Sequence, residues 1–217
     1  VESVVLPSKV NEVEYYAFAE CENLVSVTTK SSGYIKFDDL AFDNSKINLI
    51  DSVLDKGYYT VGNNIALVNS FAIKGVVEIP YGVTVIDEGL FSYCNKITEI
   101  HFPDTLEKIS NSSFSQCTAL YYVKLPKSLK TIEKAFYGCN KLYFIDNFSN
   151  IDITSGDEAY KDLVSHAIKI TNDGTALSDK IGDFVFYYDN VNNIYKLAGI
   201  DESKRLVTLP SDYKGSP

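Results

Sequence analysis

The sequence predicts a repeat solenoid: a narrow parallel β-sheet on one side, short turn or helical return segments on the other, and β-hairpin insertions. Three observations predict it. Pro80, Pro103 and Pro126 follow one another at intervals of 23 residues. Cys94, Cys117 and Cys139 trail those prolines by 14, 14 and 13 residues, and Pro7 and Cys21 repeat the offset of 14. Each proline closes an alternating apolar run such as Leu120-x-x-Val123-x-Leu125, the mark of a half-buried strand. Self-similarity at this period means units that cannot bury their apolar faces alone and must stack.

The elements follow in chain order. Residues 1–50 hold two repeats. The first runs through Leu6, Val10, Val13, Phe18, Cys21 and Leu24; the second, through Tyr34, Phe37, Ala41-Phe42, Ile47 and Ile50, lacks its proline and cysteine. Residues 51–78 break the period and read as a β-hairpin insertion, with an Asn-rich turn between Tyr59-Thr-Val61 and Ile65-x-Leu67. Residues 79–145 hold three repeats. In each, proline ends the strand because it has no N–H to donate, and Ile, Phe and Cys of the return segment point inward. Residues 146–205 combine an irregular, turn-rich stretch, with a helix expected near 157–167, and a second hairpin from Phe184-Val-Phe186 to Leu197. Residues 206–217, with Leu209-Pro210, read as the opening of a further, truncated repeat.

The segments Ala17-Phe18-x-x-Cys21-x-x-Leu24 and Ala135-Phe136-x-x-Cys139-x-x-Leu142, joined to the strand runs, resemble the BspA-like subfamily of leucine-rich repeats. The resemblance covers residues 5–50 and 79–145; Leu90-Phe91 and Ser113-Phe114 depart from its Ala-Phe pair. It implies a leucine-rich-repeat-like, right-handed solenoid. It also implies a secreted or cell-surface protein that adheres to other macromolecules: a protein of a host, a matrix or a neighbouring cell.

Composition narrows the functions. The chain has 217 residues, 29 acidic against 20 basic, and a net charge of −9. That balance, with Arg205 as the one arginine, argues against a nucleic-acid groove, which needs clustered cations to displace counterions. No run approaches the length of a membrane span. Three cysteines share one phase of consecutive repeats, so they read as small buried hydrophobes, with one bridge between stacked neighbours left open. His101 and His166 are the two histidines, and neither belongs to a nucleophile, metal or phosphate-binding motif. No catalytic residue, metal ligand or cofactor is expected.

Binding chemistry is expected in the sheet columns instead. Glu99, Tyr122 and Phe144 superpose as one outward column, His101, Lys124 and Asp146 as the next, with Tyr121 and Tyr143 at the strand margin. The candidate ligand-binding residues are therefore Glu99, His101, Tyr121, Tyr122, Lys124, Tyr143 and Phe144. Aromatic rings on a rigid sheet give contact area at little entropic cost. Three functions fit: a non-enzymatic protein-interaction or adhesion module, a carbohydrate binder stacking cell-wall glycan on Tyr121, Tyr122 and Tyr143, or a passive spacer displaying another domain. An alternative placement has these rings packed under residues 146–182. If they are exposed, replacing Tyr122 and Phe144 by Ala weakens partner capture and leaves melting nearly unchanged.

Overall fold

Each of the three repeats in residues 79–145 turns three corners, and one kind of residue fixes each corner. The carbonyls of Pro80, Pro103 and Pro126 accept hydrogen bonds from the amides of Val83, Leu106 and Leu129 at 3.2, 3.0 and 3.1 Å. Those of Phe91, Phe114 and Phe136 accept from Cys94, Cys117 and Cys139, each at 3.2 Å. The cysteine carbonyls in turn accept from Ile97, Leu120 and Leu142. All are i→i+3 turns, so the letters that reveal the period in the sequence are the ones that bend the chain. The computed structural model describes residues 1–38 and 40–176, together with the backbone of strands Lys180–Ile181, Phe184–Asp189 and Ile194–Ile200. The expected repeat opening at 206–217 lies outside the described residues.

Between the corners run two columns of parallel strands. The main sheet is ordered Gly75–Glu78, Ile97–His101, Tyr122–Leu125, Phe144–Asn147 and Lys169–Thr171. Near the N-terminus, Ser3–Leu6 pairs in parallel with Ser26–Thr29. A second column is built of two-residue strands, Val85–Ile86, Lys108–Ile109 and Thr131–Ile132, with Glu12–Val13 beside Lys36–Phe37. The sequence predicts turns or a short helical piece at these places. Two residues are too few for alternation to show, which is why this column is hidden in the sequence.

The core is a ladder of rings. Phe91 stacks on Phe114 at 5.3 Å between centroids, Phe114 on Phe136 at 5.2 Å, and Phe18 on Phe42 at 5.3 Å. Beside the rings lie the cysteines, all four of them free thiols. The Cys117 thiol donates to the Phe91 carbonyl at 3.2 Å and the Cys139 thiol to the Phe114 carbonyl at 3.1 Å. Burial pushes the Cys94 thiol up to about 12, so it stays protonated and packs as a small hydrophobe.

Two residues after each of these phenylalanines the backbone enters the left-handed region: Glu20, Asn44, Tyr93, Gln116 and Gly138, at φ 55°, 50°, 62°, 62° and 76°. That conformation turns the amide toward the next coil. Glu20, Tyr93 and Gln116 donate to the carbonyls of Asp43, Ser115 and Tyr137 at 2.8, 2.8 and 2.7 Å.

The segment between the two repeat blocks joins them. A helix at Asp51–Lys56 stops at Gly57, whose left-handed backbone lies so close to Ile73 that a Cβ would sit 2.6 Å from the Ile73 Cα. The hairpin of Tyr58–Val61 and Asn64–Val68 follows. Val61 and Ala66 belong to the N-terminal core, and Ile65 to the larger one. Tyr59 and Asn64 act as substitutes for the backbone of a further coil. The Tyr59 hydroxyl accepts from the Val27 amide at 2.9 Å and donates to its carbonyl at 3.1 Å; the Asn64 side-chain oxygen accepts from the Ile35 amide at 3.0 Å. A one-turn helix at Lys161–Val164 precedes the last strand of the main sheet, and an antiparallel sheet of the three strands from Lys180 to Ile200 follows it. Among the described residues no helix is long and apolar enough to cross a membrane.

Two substitutions test the ladder. Phe114→Ala removes a fully buried ring that stacks on both sides and should cost about 3–5 kcal/mol in urea unfolding. Phe18→Ala, half-buried in the first coil, should cost distinctly less.

Candidate functional site

Parallel pairing sets the columns of the sheet. Glu99, Tyr122, Phe144 and Lys169 stand side by side in one row, and Glu78, His101, Lys124, Asp146 and Thr171 in the next. The two sequence-derived columns are therefore in true register; the first gains Val76 and Lys169, and the second Glu78 and Thr171.

Their exposure differs from expectation. Tyr122 is 7% exposed and Phe144 1%; both pack against Ala176, with Tyr121 and Tyr143 half-buried at the margin. Glu99 and Asp146 are buried as well. The reason is the Asp146 carboxylate. It accepts from the Tyr122 hydroxyl at 2.8 Å, from the Thr171 hydroxyl, and from the Ala176 amide at 3.2 Å. One buried acid thus draws the segment after Thr171 down over the aromatic column, which fits the alternative placement of these rings. The expectation that Tyr122 and Phe144 are free, and that truncating them spares melting, is corrected accordingly.

What the structure brings together at the surface is a small polar cluster. Half-exposed His101 lies between two carboxylates, its Nδ1 2.5 Å from Glu78 Oε1 and its Nε2 3.4 Å from Glu99 Oε2. The Tyr121 hydroxyl donates to Glu99, and the Tyr122 ring meets His101 edge-on at 6.2 Å. The hydrogen bond to Glu99, and then that to Glu78, raise the His101 pKa above its ordinary value, against the opposing effect of burial. Lys124, exposed in the next strand, places its ammonium 5.1 Å from the centre of the Phe148 ring. Tyr143 leans edge-on against Phe144.

Glu78 is the site residue that reasoning from sequence missed. It lies two residues before Pro80, as His101 does before Pro103 and Lys124 before Pro126, so counting back from each proline finds it. Chemically the cluster offers charge and hydrogen bonds. Among the described residues no group of three or more His, Cys, Asp or Glu side chains is placed to hold a metal ion.

Comparison with known proteins bears on the repeats. The family described as BspA type Leucine rich repeat region matches residues 1–72 and 66–192, in six copies. No curated protein matches the sequence. Among solved structures, a leucine rich cell surface protein from Faecalibacterium prausnitzii A2-165 aligns at 16% identity and a TM-score of 0.27. The alignment covers 78% of this chain and spans 63% of the length of that one.

Two outcomes follow from the site. Phe144→Ala should lower stability by about 3–5 kcal/mol in urea unfolding, since the ring is in a closed core. The His101 contribution should depend on pH. Its folded pKa is raised, so the stabilisation is present in full below the unfolded value of 6.5 and is lost as pH rises through the folded pKa. His101→Gln should therefore lower the thermal midpoint more near about pH 5.5 than near about pH 8.5, by no more than about 1 kcal/mol after solvent screening.

Proposed function

The chain belongs to the BspA-type leucine-rich repeat family, and on that premise we propose that it is a non-enzymatic interaction module of a secreted or cell-surface protein, binding a protein partner on the uncovered row of its main sheet. The row Glu78, His101, Lys124 carries this reading. These side chains sit on three adjacent parallel strands, in register, and remain at the surface where the neighbouring aromatic row is closed. The strands fix their spacing before any partner arrives, so little order has to be created on binding. Opposite charges in one row select a partner by complementarity and steer its approach. Apolar contact area lies at the edges: Val76 on the first strand of the sheet, Ile168 and Ile170 on or beside the last. Glu99, Tyr121, Tyr122, Tyr143 and Phe144 hold this surface in shape from beneath and beside it.

Charge reversal tests the reading. The chain is immobilised and probed with a panel of purified extracellular-matrix and cell-surface proteins, alongside the variant Glu78→Lys/Lys124→Glu. Both side chains are exposed, so the variant should stay folded, its melting lowered only by loss of the His101–Glu78 pair and the Lys124–Phe148 contact. Capture of the panel protein that binds the parent should fall at least about tenfold in affinity, mostly through a slower association rate at low salt. Undiminished capture by the variant would exclude this row as the interface.

A further inference from the structure

Both nitrogens of the His101 ring face a carboxylate, and that arrangement suits one protonation state. Nδ1 lies 2.5 Å from Glu78 and Nε2 3.4 Å from Glu99. A neutral imidazole has one N–H and one lone pair, so it donates to one of the two acids and turns a lone pair toward the other. The imidazolium donates to both. The position therefore selects the charged ring, and the hydrogen bonds to Glu99 and then to Glu78 raise its pKa above the ordinary value.

The two acids are held differently. The Glu99 side chain is 7% exposed, shares a strand with His101 and accepts from the Tyr121 hydroxyl. It has little room to leave. The Glu78 side chain is 71% exposed, on the strand at one end of the main sheet, and its carboxylate pairs with His101 alone among the described residues. When the ring loses a proton, the remaining N–H stays with the buried acid, and the lone pair on Nδ1 repels the exposed one. Glu78 is the side chain that swings away.

The other groups around the ring keep their charge through this change. The Tyr122 ring meets His101 edge-on and gives its hydroxyl to Asp146, and Tyr121 reaches His101 only through Glu99. Lys124, beside His101 in register, holds its ammonium over the Phe148 ring. Of these side-chain types only imidazole ordinarily titrates near neutrality.

We infer that Glu78 and His101 form a pH-sensitive switch in the interaction row. With the ring charged, the Glu78 carboxylate is held against the sheet and neutralised. With the ring neutral, it is free to take a basic side chain of the partner. This switch rests on the row being a protein interface, as proposed above, and gives that interface its regulation: capture strengthens as pH rises. An acidic partner drawn by the charge on His101 itself would show the reverse dependence.

Two measurements test the switch. The chain has two histidines, so titration followed by NMR resolves His101, identified by its loss in His101→Gln. The Glu78 carboxyl resonance should inflect at the His101 midpoint, and Glu78→Gln should lower that midpoint by about half a pH unit. A Glu78 resonance indifferent to that midpoint, or a midpoint unmoved by Glu78→Gln, would overturn the switch. This arm needs no partner, so it fails separately from the interface. The second arm uses the panel protein captured by the parent chain. The ratio of its affinity at about pH 8.5 to that at about pH 5.5 should be about two- to fivefold larger for the parent than for His101→Gln or Glu78→Gln, which share any titration of the partner. Equal ratios, or a smaller one for the parent, would overturn the regulation.

Discussion

A hydrogen bond between equivalent turns of neighbouring coils is the constraint on which the rest of the structure depends. The amides of Phe18, Phe91 and Phe114 donate to the carbonyls of Ala41, Ser113 and Ala135, at 2.7, 2.8 and 2.9 Å, each acceptor being the residue just before the next coil's phenylalanine. A second bond follows two residues on, from a left-handed position. A third, from Gly89 to Asn111 and from Ser112 to Lys134, precedes the phenylalanine in the two later turns, so each coil is locked to the next at the corner as well as along its strands. The phenylalanines then have to stack, because the backbone has fixed where their Cβ atoms stand. The cysteines occupy the small space left beside the rings, which explains why a residue of that size recurs there. Turn regions of most proteins carry unpaired backbone and open easily; here they form a ladder.

The same constraint explains how one residue can be lost without loss of register. Ile86 to Phe91 and Ile109 to Phe114 are five residues; Ile132 to Phe136 is four. The longer turns carry an additional left-handed residue before the phenylalanine, Gly89 and Ser112, as does Tyr16 in the first coil. The shorter turn has none at Lys134, and its Phe136 still stacks on Phe114. The deviation of the last proline-to-cysteine spacing from 14 to 13 is therefore a local matter, absorbed before the ladder is reached.

Much of this was legible in the sequence. The period of 23 residues sets the strand columns, because any residue at a fixed distance from the proline must fall in the same row; Tyr122 beside Phe144 and His101 beside Lys124 follow from that alone. Three things were not legible, each for a physical reason. The left-handed positions hold Glu20, Asn44, Tyr93 and Gln116, residues that do not announce that conformation as glycine does. The second strand column is too short to show a period. The closure over Tyr122 and Phe144 arises from the segment after Thr171, which does not keep the repeat, and from Asp146, which reads in sequence as an outward charge and in the fold is a buried acceptor of three hydrogen bonds. The general lesson is that a repeat predicts what superposes, and the non-repeating parts decide which of the superposed side chains reach solvent.

Amide hydrogen exchange under native conditions tests the central claim most directly. If the turn ladder locks the coils, the amides of Phe91, Tyr93, Phe114 and Gln116 exchange only when coils separate, with protection within about tenfold of the central strand Tyr122–Leu125. If those turn amides exchanged a thousandfold or so faster than that strand, as open loops do, the coils would be held by the sheet alone and the account would be wrong.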